Sequence, residues 1–181
     1  MDPQNAIAVN PIDLPRTVCD RPIVLGALRA TPGLRERLAC GIHVADIGCG
    51  AGVSTLTMAV AFPRSRFLGV DADPASLERA RQLRALGGLR NVYWLAAAAD
   101  QLAPRPTHDL ICAFGGLRGL GDPRGALRAA RAALTDDGVF LWSTPHTEAG
   151  LVWQLAPETG FESVERVRVG DDVQRLFALR P

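Results

Sequence analysis

The chain has 181 residues, of which 48% are apolar, enough for one domain with a sizeable core. Its 20 basic residues nearly balance its 19 acidic ones, and the formal net charge of +1 argues against a general electrostatic grip on nucleic acid or on a membrane surface. Because every basic residue is arginine, neither a Schiff-base lysine nor a phosphate-loop lysine is available.

The cysteine pattern and the N-terminal residues bear on the cellular setting. The four cysteines form no C-x-x-C pair, and their spacing matches neither a zinc site nor a disulfide framework; they are Cys19, Cys40, Cys49 and Cys112. Reduced thiols are typical of a cytoplasmic protein, and no metal is expected. Residues 1–22 lack a basic segment followed by an apolar one, and no apolar run approaches the ~18–20 residues of a membrane span. We therefore expect no signal peptide and no membrane partner.

The first 33 residues are interpreted as an irregular and partly helical N-terminal arm, and residues 34–181 as one domain. Residues 1 to about 20 are rich in Pro, Asp and Asn and show no clear period. Pro22 to Ala30 predicts a short helix, and Leu34 to Ala39 one further helical turn.

From residue 42 onward, apolar runs alternate with helical segments. The predicted strands are residues 42–47, 66–71, 91–96, 108–114 and 138–144, and the predicted helices are residues 54–62, 74–86, 123–134 and 148–159. Asp73-Pro74 and Asp122-Pro123 each place a capping Asp before a proline at the first helical position. Residues 161–169 and 173–180 flank Gly170-Asp171-Asp172, a hairpin signal.

This order of elements predicts an α/β fold. We expect a Rossmann-like, doubly wound and mostly parallel sheet of seven strands, with an antiparallel hairpin at the C-terminus.

The stretch VADIGCGAG, residues 44–52, carries the most specific signal in the chain. Asp46 lies near the end of the first predicted strand, and glycines follow at every second position as Gly48, Gly50 and Gly52. Glycines suit such a turn because a Cβ would collide with a ligand, and because they allow positive φ. A dinucleotide fingerprint requires Gly or Ala at position 53, where this chain has Val, so an NAD-dependent oxidoreductase is disfavoured.

This segment closely resembles the first motif of the class I S-adenosylmethionine methyltransferases, in which the turn backs the methionine portion of the cofactor. The resemblance therefore implies cofactor-binding positions at Asp46, Gly48, Cys49, Gly50 and Gly52. The resemblance covers about residues 34–181, and GDPRGALRAARAALTDDGVFLW and TGFESVERVRVGDDVQRLFALRP look like later stretches of one bacterial small-molecule group. In that group the catalytic domain often follows a winged-helix-like dimerisation domain. The resemblance implies S-adenosylmethionine as cofactor, S-adenosylhomocysteine as product and a small-molecule acceptor.

The same resemblance assigns cofactor contacts at the ends of the next strands. Asp71, followed by Ala72, ends the second strand, and its carboxylate is suited to accept hydrogen bonds from both ribose hydroxyls. Asp100 and Gln101 follow the third strand, where the family places an acid or amide against the adenine amino group. The alternatives are a purely structural turn at the glycines, a loop cap at Asp71 and a helix cap at Asp100.

Candidates for the acceptor side are sparser. Phe114 begins the loop FGGLRGLGDP and is expected to pack on the cofactor, and Arg118 is either a contact for an acidic substrate or a solvated arginine. This loop lacks the His and Asp that the resembling group commonly carries there. In STPHTE, after the fifth strand, His146 is the candidate general base, with a loop histidine as the alternative.

Three further residues with reactive side chains are expected to have no catalytic role. His43 and His108 begin strands at the opposite edge of the sheet and are interpreted as structural. Cys49 is interpreted as a small filler within the glycine turn, since no basic partner is near it in sequence.

The function that follows is an S-adenosylmethionine-dependent methyltransferase acting on a small molecule, in bacterial specialised metabolism. The alternative is a cofactor-binding protein of the same fold without methyl transfer, either an accessory subunit or an enzyme of the cyclase or isomerase type. A short core without a lid and with an apolar N-terminal arm favours a homodimer.

Overall fold

The structure, a computed structural model, describes residues 20–115, 120–169 and 174–181. Its strands are β1 (His43–Ile47), β2 (Arg66–Asp71), β3 (Val92–Ala96), β4 (His108–Ala113), β5 (Leu134–Pro145), β6 (Ser163–Val167) and β7 (Gln174–Arg180). Its helices are α1 (Asp20–Ala30), α2 (Leu34–Cys40), α3 (Val53–Ala61), α4 (Pro74–Leu86), α5 (Pro123–Ala133) and α6 (Ala149–Glu158). Short 3₁₀ turns cover Ala99–Gln101 and His146–Glu148.

The described strands form one sheet in the order β3-β2-β1-β4-β5-β7-β6. Strands β1 to β5 pair in parallel, and β7 lies antiparallel between β5 and β6. The predicted doubly wound sheet with an antiparallel C-terminal hairpin is confirmed. The chain moves outward from β1 in both directions, so β1 and β4 flank the switch point at which ligands bind in such sheets.

Helices cover both faces of the sheet. On one face, α3 contributes Leu56 and Met58 to a buried cluster with strand residues such as Phe67. On the other face, α5 and α6 contribute Leu127 and Val152 to a second cluster. Burying the sheet on both sides requires strands that are apolar on both faces, which explains the nearly continuous apolar runs in the sequence.

Helix α1 belongs to the core. Val24, Ala27 and Leu28 are at most 2% exposed and join the same cluster as α3. A Cβ at Gly26 would lie 2.2 Å from Cγ1 of Val169, so the glycine permits α1 to approach the chain just after β6. The helical part of the arm therefore packs as a structural layer, whereas residues 1–19 lie outside the described residues. The division of the chain at residues 33 and 34 stays a prediction.

Both predicted aspartate caps are present. Asp73 accepts hydrogen bonds from the backbone N–H groups of Ala75 and Ser76 at 3.0 and 3.1 Å. The Ser76 hydroxyl, followed by the Ala75 N–H, lowers the pKa of Asp73. Asp122 accepts from the N–H of Arg124 at 3.1 Å and starts α5 in the same way.

Two predicted boundaries differ from the structure. Strand β5 begins at Leu134 and not at Gly138, because Leu134 pairs with His108 before an irregularity shifts the register to Leu110 opposite Val139. The predicted helix over 148–159 begins one residue later, as α6 (Ala149–Glu158), after a 3₁₀ turn over His146–Glu148. The predicted hairpin turn at 170–172 lies outside the described residues, as does Arg118.

Of the helices described, none has the length and apolarity needed to cross a membrane.

Candidate functional site

The glycine turn, residues 48–52, lies where β1 ends at the carboxyl edge of the sheet. Gly48, Gly50 and Gly52 have φ of 65°, 54° and 75°, a region that L side chains rarely adopt. A Cβ at Gly50 would meet nothing within 4 Å, so this side of the turn faces open space. The turn combines backbone that only glycine adopts easily with room for a ligand beside it.

Asp71 is bonded directly to this turn. Its Oδ2 accepts from the N–H of Gly50 at 2.7 Å, and its Oδ1 accepts from the N–H of Asp73 at 2.8 Å. The bond to Asp73 gives Asp71 the loop-capping role that was its alternative assignment. A carboxylate offers about four acceptor positions, so two backbone bonds leave capacity for a diol. Asp71 is partly exposed at this point of the edge.

Asp46 is buried beneath the turn. It is 1% exposed, and its Oδ2 accepts from the hydroxyls of Ser54 and Thr55 at 2.5 and 2.6 Å. The carboxylate therefore ties the end of β1 to the first turn of α3, and it has little surface for a ligand. Sequence reasoning missed the two hydroxyl partners, although Ser54 and Thr55 follow the last glycine after a single valine.

Cys49 is 8% exposed, and its backbone N–H donates to Val70 O at 3.1 Å. Burial, followed by the charges of Asp46 and Asp71, raises the pKa of the Cys49 thiol far above its usual value. The thiol stays protonated at neutral pH, which supports a filler and disfavours a nucleophile. Cys112, also buried, has a raised pKa for the same first reason.

The indole of Trp94 packs against the glycine turn, a role that sequence reasoning missed. A Cβ at Gly52 would lie 2.3 Å from Cη2 of Trp94, and one at Gly69 would lie 2.3 Å from its Cζ3. The indole therefore occupies space that these two glycines leave free. Gly69 inside β2 was the available signal, because a glycine within a strand often marks a close approach.

The third predicted contact lies after β3. Asp100 and Gln101 are exposed in the 3₁₀ turn, and Oε1 of Gln101 accepts from the N–H of Ala98 at 3.3 Å. The residue at the capping position of this turn is Ala98, so Asp100 is not its cap. Ala72 is exposed beside Asp71 at the end of the neighbouring strand.

Phe114 and His146 follow β4 and β5 at the same edge. Phe114 is 4% exposed, and its carbonyl accepts from the hydroxyl of Ser143 at 3.0 Å, which joins the ends of the two strands. His146 is exposed in the second 3₁₀ turn. The hydroxyl of Thr144 donates to Oε2 of Glu148 at 3.2 Å across that turn.

His43 and His108 begin β1 and β4 at the opposite edge, far along the strands from the glycine turn. Burial, followed by the charge of His43, lowers the pKa of His108 from its usual 6.5. In the described part of the chain, no group of His, Cys, Asp and Glu is arranged to hold a metal ion.

The carboxyl edge of the sheet therefore carries all of these predicted residues, some in direct contact, some exposed and some buried. The turn and Asp71 are in direct contact, and Ala72, Asp100 and Gln101 are exposed beside them. Asp46, Cys49 and Phe114 lie in the layer beneath. The arrangement provides open backbone, a carboxylate suited to a ribose diol and exposed polar groups one strand away.

Known proteins share this sequence pattern. The model of the family described as "Methyltransferase domain" matches residues 45–140. A trans-aconitate 2-methyltransferase from Paracidovorax citrulli is 30% identical over 139 residues, which cover 76% of this chain and 52% of that protein. A ubiquinone biosynthesis O-methyltransferase from Neisseria meningitidis is 30% identical over 110 residues, which cover 58% of this chain and 44% of that protein. The chain spans about half the length of these curated relatives.

Solved structures share the fold. A SAM-dependent methyltransferase from Aquifex aeolicus superposes with a TM-score of 0.69 at 18% identity, covering 77% of this chain and 82% of that one. A precorrin-6y C5,15-methyltransferase from Geobacter metallireducens superposes with a TM-score of 0.68 at 18% identity, covering 89% and 87%. At these identities the likeness concerns the fold alone.

Proposed function

Because this chain belongs to the methyltransferase domain family, we propose that it is an S-adenosylmethionine-dependent methyltransferase acting on a small molecule. The observation that carries the proposal is the bond between Asp71 and Gly50, which fixes a carboxylate beside an open glycine turn at the switch point. The curated relatives named for methyl transfer to trans-aconitate and in ubiquinone biosynthesis support a small acceptor. Bacterial specialised metabolism remains part of the proposal.

The residues present fit the cofactor. We assign the glycine turn to the methionine portion, Asp71 to the ribose hydroxyls, and Ala72, Asp100 and Gln101 to the adenine. Asp46, Cys49 and Phe114 would hold the turn and the neighbouring strand ends in place. When bound, S-adenosylmethionine supplies a methyl group already activated by its sulfonium, so the protein must mainly align the acceptor and exclude water. For an acceptor that carries a proton, His146 is the candidate base.

The first test is calorimetric binding of S-adenosylhomocysteine. We expect Asp71→Ala to weaken binding about 10- to 100-fold, because hydrogen bonds to a charged group contribute roughly 1.5–3 kcal/mol. Asp136→Asn, at an exposed position in β5, is the matched control for loss of one negative charge and should bind as the unaltered protein does. Melting of each variant without ligand separates lost binding from lost folding. Wild-type affinity in Asp71→Ala would remove Asp71 from the ribose role.

One observation favours a second candidate, a cofactor-binding protein without methyl transfer. The only acid in the loop FGGLRGLGDP is Asp122, and its carboxylate is engaged in capping α5. The two candidates separate when the protein is incubated with S-adenosylmethionine carrying an isotope-labelled methyl group and a bacterial small-molecule extract. Methyl transfer predicts a labelled product and released S-adenosylhomocysteine, whereas the second candidate predicts cofactor binding with neither.

A further inference from the structure

We propose that a second copy of this chain docks on the outer edge of β3, the side that faces away from β2, and adds its own β3 there in antiparallel orientation. The two copies then share one continuous sheet across a two-fold axis. Such an association does not depend on methyl transfer.

The backbone of β3 offers a free row of hydrogen-bonding groups. Strand β3 ends the sheet, and β2 is its partner among the described strands. The N–H of Phe67 donates to Asn91 O at 2.8 Å, and the N–H of Ala97 donates to Asp71 O at 3.0 Å. The odd-numbered residues of this stretch therefore direct their backbone groups toward β2, and the even-numbered ones direct theirs outward. The outward residues of β3 are Val92, Trp94 and Ala96.

The side chains of β3 divide into a covered and an uncovered face. Val92 is buried, and Trp94 packs against the same cluster as α3. On the other face, Tyr93 is 52% exposed and Leu95 is 39% exposed. The connection from β3 to β4, all of it described, forms a 3₁₀ turn and no longer helix that could cover these two side chains. The strand thus presents apolar side chains beside its free backbone groups.

The two edges of the sheet are protected differently. At the far edge, β6 carries Glu165 and Arg166, and an ion pair joins Glu165 to Arg180 of β7. Charged side chains on an edge strand oppose pairing with another sheet. Strand β3 reads VYWLA and has neither a charge nor a proline. The usual protection against edge pairing is therefore present at β6 and absent from β3.

The distribution of charge identifies the partner as a second copy. Three arginines near the amino end of β3 line a surface cavity of about 390 Å³; they are Arg81, Arg84 and Arg90. Three aspartates lie near the carboxyl end of β3; they are Asp71, Asp73 and Asp100. An antiparallel copy reverses the two ends, so the arginines of each copy lie near the aspartates of the other. A copy added in parallel would bring like charges together at both ends.

The two-fold axis determines which residues meet. When Trp94 pairs with Trp94 of the second copy, Val92 pairs with Ala96, and the outward backbone groups of all three positions are used. Tyr93 then lies opposite Leu95 of the second copy, with Cβ atoms roughly 4.5–5.5 Å apart. This aromatic–aliphatic pair forms twice, so each exposed apolar side chain of β3 gains an apolar neighbour.

The size of the contact sets the expected affinity. A strand of five residues is about 17 Å long, so the interface is smaller than the ~800 Å² per partner of a standard stable complex. We expect the full chain to show a monomer–dimer equilibrium with a Kd of about 10 to 100 µM, measured by sedimentation equilibrium.

Paired charge variants test the antiparallel register. Tyr93→Lys combined with Leu95→Lys places ammonium groups opposite each other, and should weaken the dimer at least about 10-fold. Tyr93→Lys combined with Leu95→Glu places an ammonium opposite a carboxylate, and should associate about 5-fold more tightly than the first double variant. Leu151→Lys, at an α6 leucine that is 42% exposed, is the matched control for Leu95→Lys and should associate as the wild-type protein does.

A variant outside the strand tests the charge complementarity. Arg90 is exposed, and Arg90→Glu should weaken the dimer about 2- to 5-fold, as should added salt. Thermal melting of every variant separates lost association from lost folding.

A chain that stays monomeric up to about 500 µM would overturn the proposal. A dimer that both double variants leave unchanged would also overturn it, because the interface would lie elsewhere. Association lost in Leu151→Lys and kept in both double variants would place the contact on α6. Equal association of the two double variants would contradict the antiparallel register.

Discussion

Two aspartates near the carboxyl ends of β1 and β2, Asp46 and Asp71, differ in burial and in hydrogen-bond partners. Asp46 is buried and accepts from two hydroxyls of α3, whereas Asp71 is partly exposed and accepts from two backbone N–H groups. A buried carboxylate is tolerated only when its hydrogen bonds are satisfied, and the two hydroxyls meet that need. An exposed one keeps lone pairs for a ligand. Asp46 in β1 therefore has a structural role, and Asp71 at the end of β2 keeps the capacity for the ribose contact proposed for it.

His108 should make the protein sensitive to acid. Because burial and the charge of His43 lower its pKa below 6.5, the folded state keeps His108 neutral where the unfolded chain binds a proton. The contribution of His108 to the free energy of unfolding is therefore fully present above pH 6.5. It falls as the pH drops from 6.5 to the pKa of His108 in the folded state. His108→Gln should lose less stability over this window in urea unfolding at several pH values.

His108→Gln is compared with the wild-type protein at pH 8, where His108 is uncharged in both the folded and the unfolded protein. The difference between the two proteins there measures packing alone. Parallel stability curves from pH 8 to pH 5 would contradict a contribution of His108 to the acid sensitivity.

Among the elements, the two helices that begin with a capping Asp followed by Pro, α4 and α5, have the clearest local cause for where they start. In α5, Asp122 caps the first turn, and Ala126, Leu127, Ala130 and Ala133 form a buried stripe against the sheet. Three of the four are alanines, so the helix can lie close to the strands. The cap fixes where the helix begins, and the stripe fixes which face is buried.

Removing the cap of α5 should destabilise the fold modestly. We expect Asp122→Ala to lower the free energy of unfolding by about 1 kcal/mol, because the N–H of Arg124 loses its acceptor. Asp122→Ser, which restores a capping oxygen, should recover most of that loss. Denaturant unfolding followed by circular dichroism measures both. Equal stability of the alanine variant and the wild-type protein would show that the cap contributes nothing.

At the scale of the whole molecule, the proposed cofactor site and the fold are coupled. The glycine turn is held by Asp71 of β2, by the indole of Trp94 from β3 and by the bond of Asp46 to α3. These contacts exist only in the folded chain, so a ligand of the turn binds only the folded state. Such a ligand stabilises the fold by mass action.

S-adenosylhomocysteine should therefore raise the melting temperature. At a ligand concentration of 100 times Kd the stabilisation is about 2.7 kcal/mol, which corresponds to roughly 5–10 °C for a domain of this size. Differential scanning fluorimetry with increasing ligand measures the shift. Adenosine alone serves as a partial ligand and should give a smaller shift. An unchanged melting temperature at saturating S-adenosylhomocysteine would argue against the cofactor site.

Local patterns were sufficient to predict the succession of strands and helices, the two Asp-Pro helix starts and the glycine turn. Each depends on neighbours within a few residues: the period of apolar residues, a capping oxygen near free N–H groups, or a backbone that glycine alone adopts easily. The position of Asp71 at the carboxyl edge also followed, because parallel strands end at one edge. Its cofactor role, like the roles of Asp100 and His146, stays a prediction.

Only the tertiary structure decided what lies against these local features. Trp94 beneath Gly52 and Gly69, α1 within the core, the early start of β5 opposite His108, and Arg175 opposite Thr144 all join distant parts of the chain. A sequence pattern gives the face of a strand but not the register or the neighbour, which follow from packing the whole sheet. The sequence by itself determined the glycine turn and the alternation of strands and helices, whereas the order and register of the strands and the contacts around the turn depend on the packing of the folded chain.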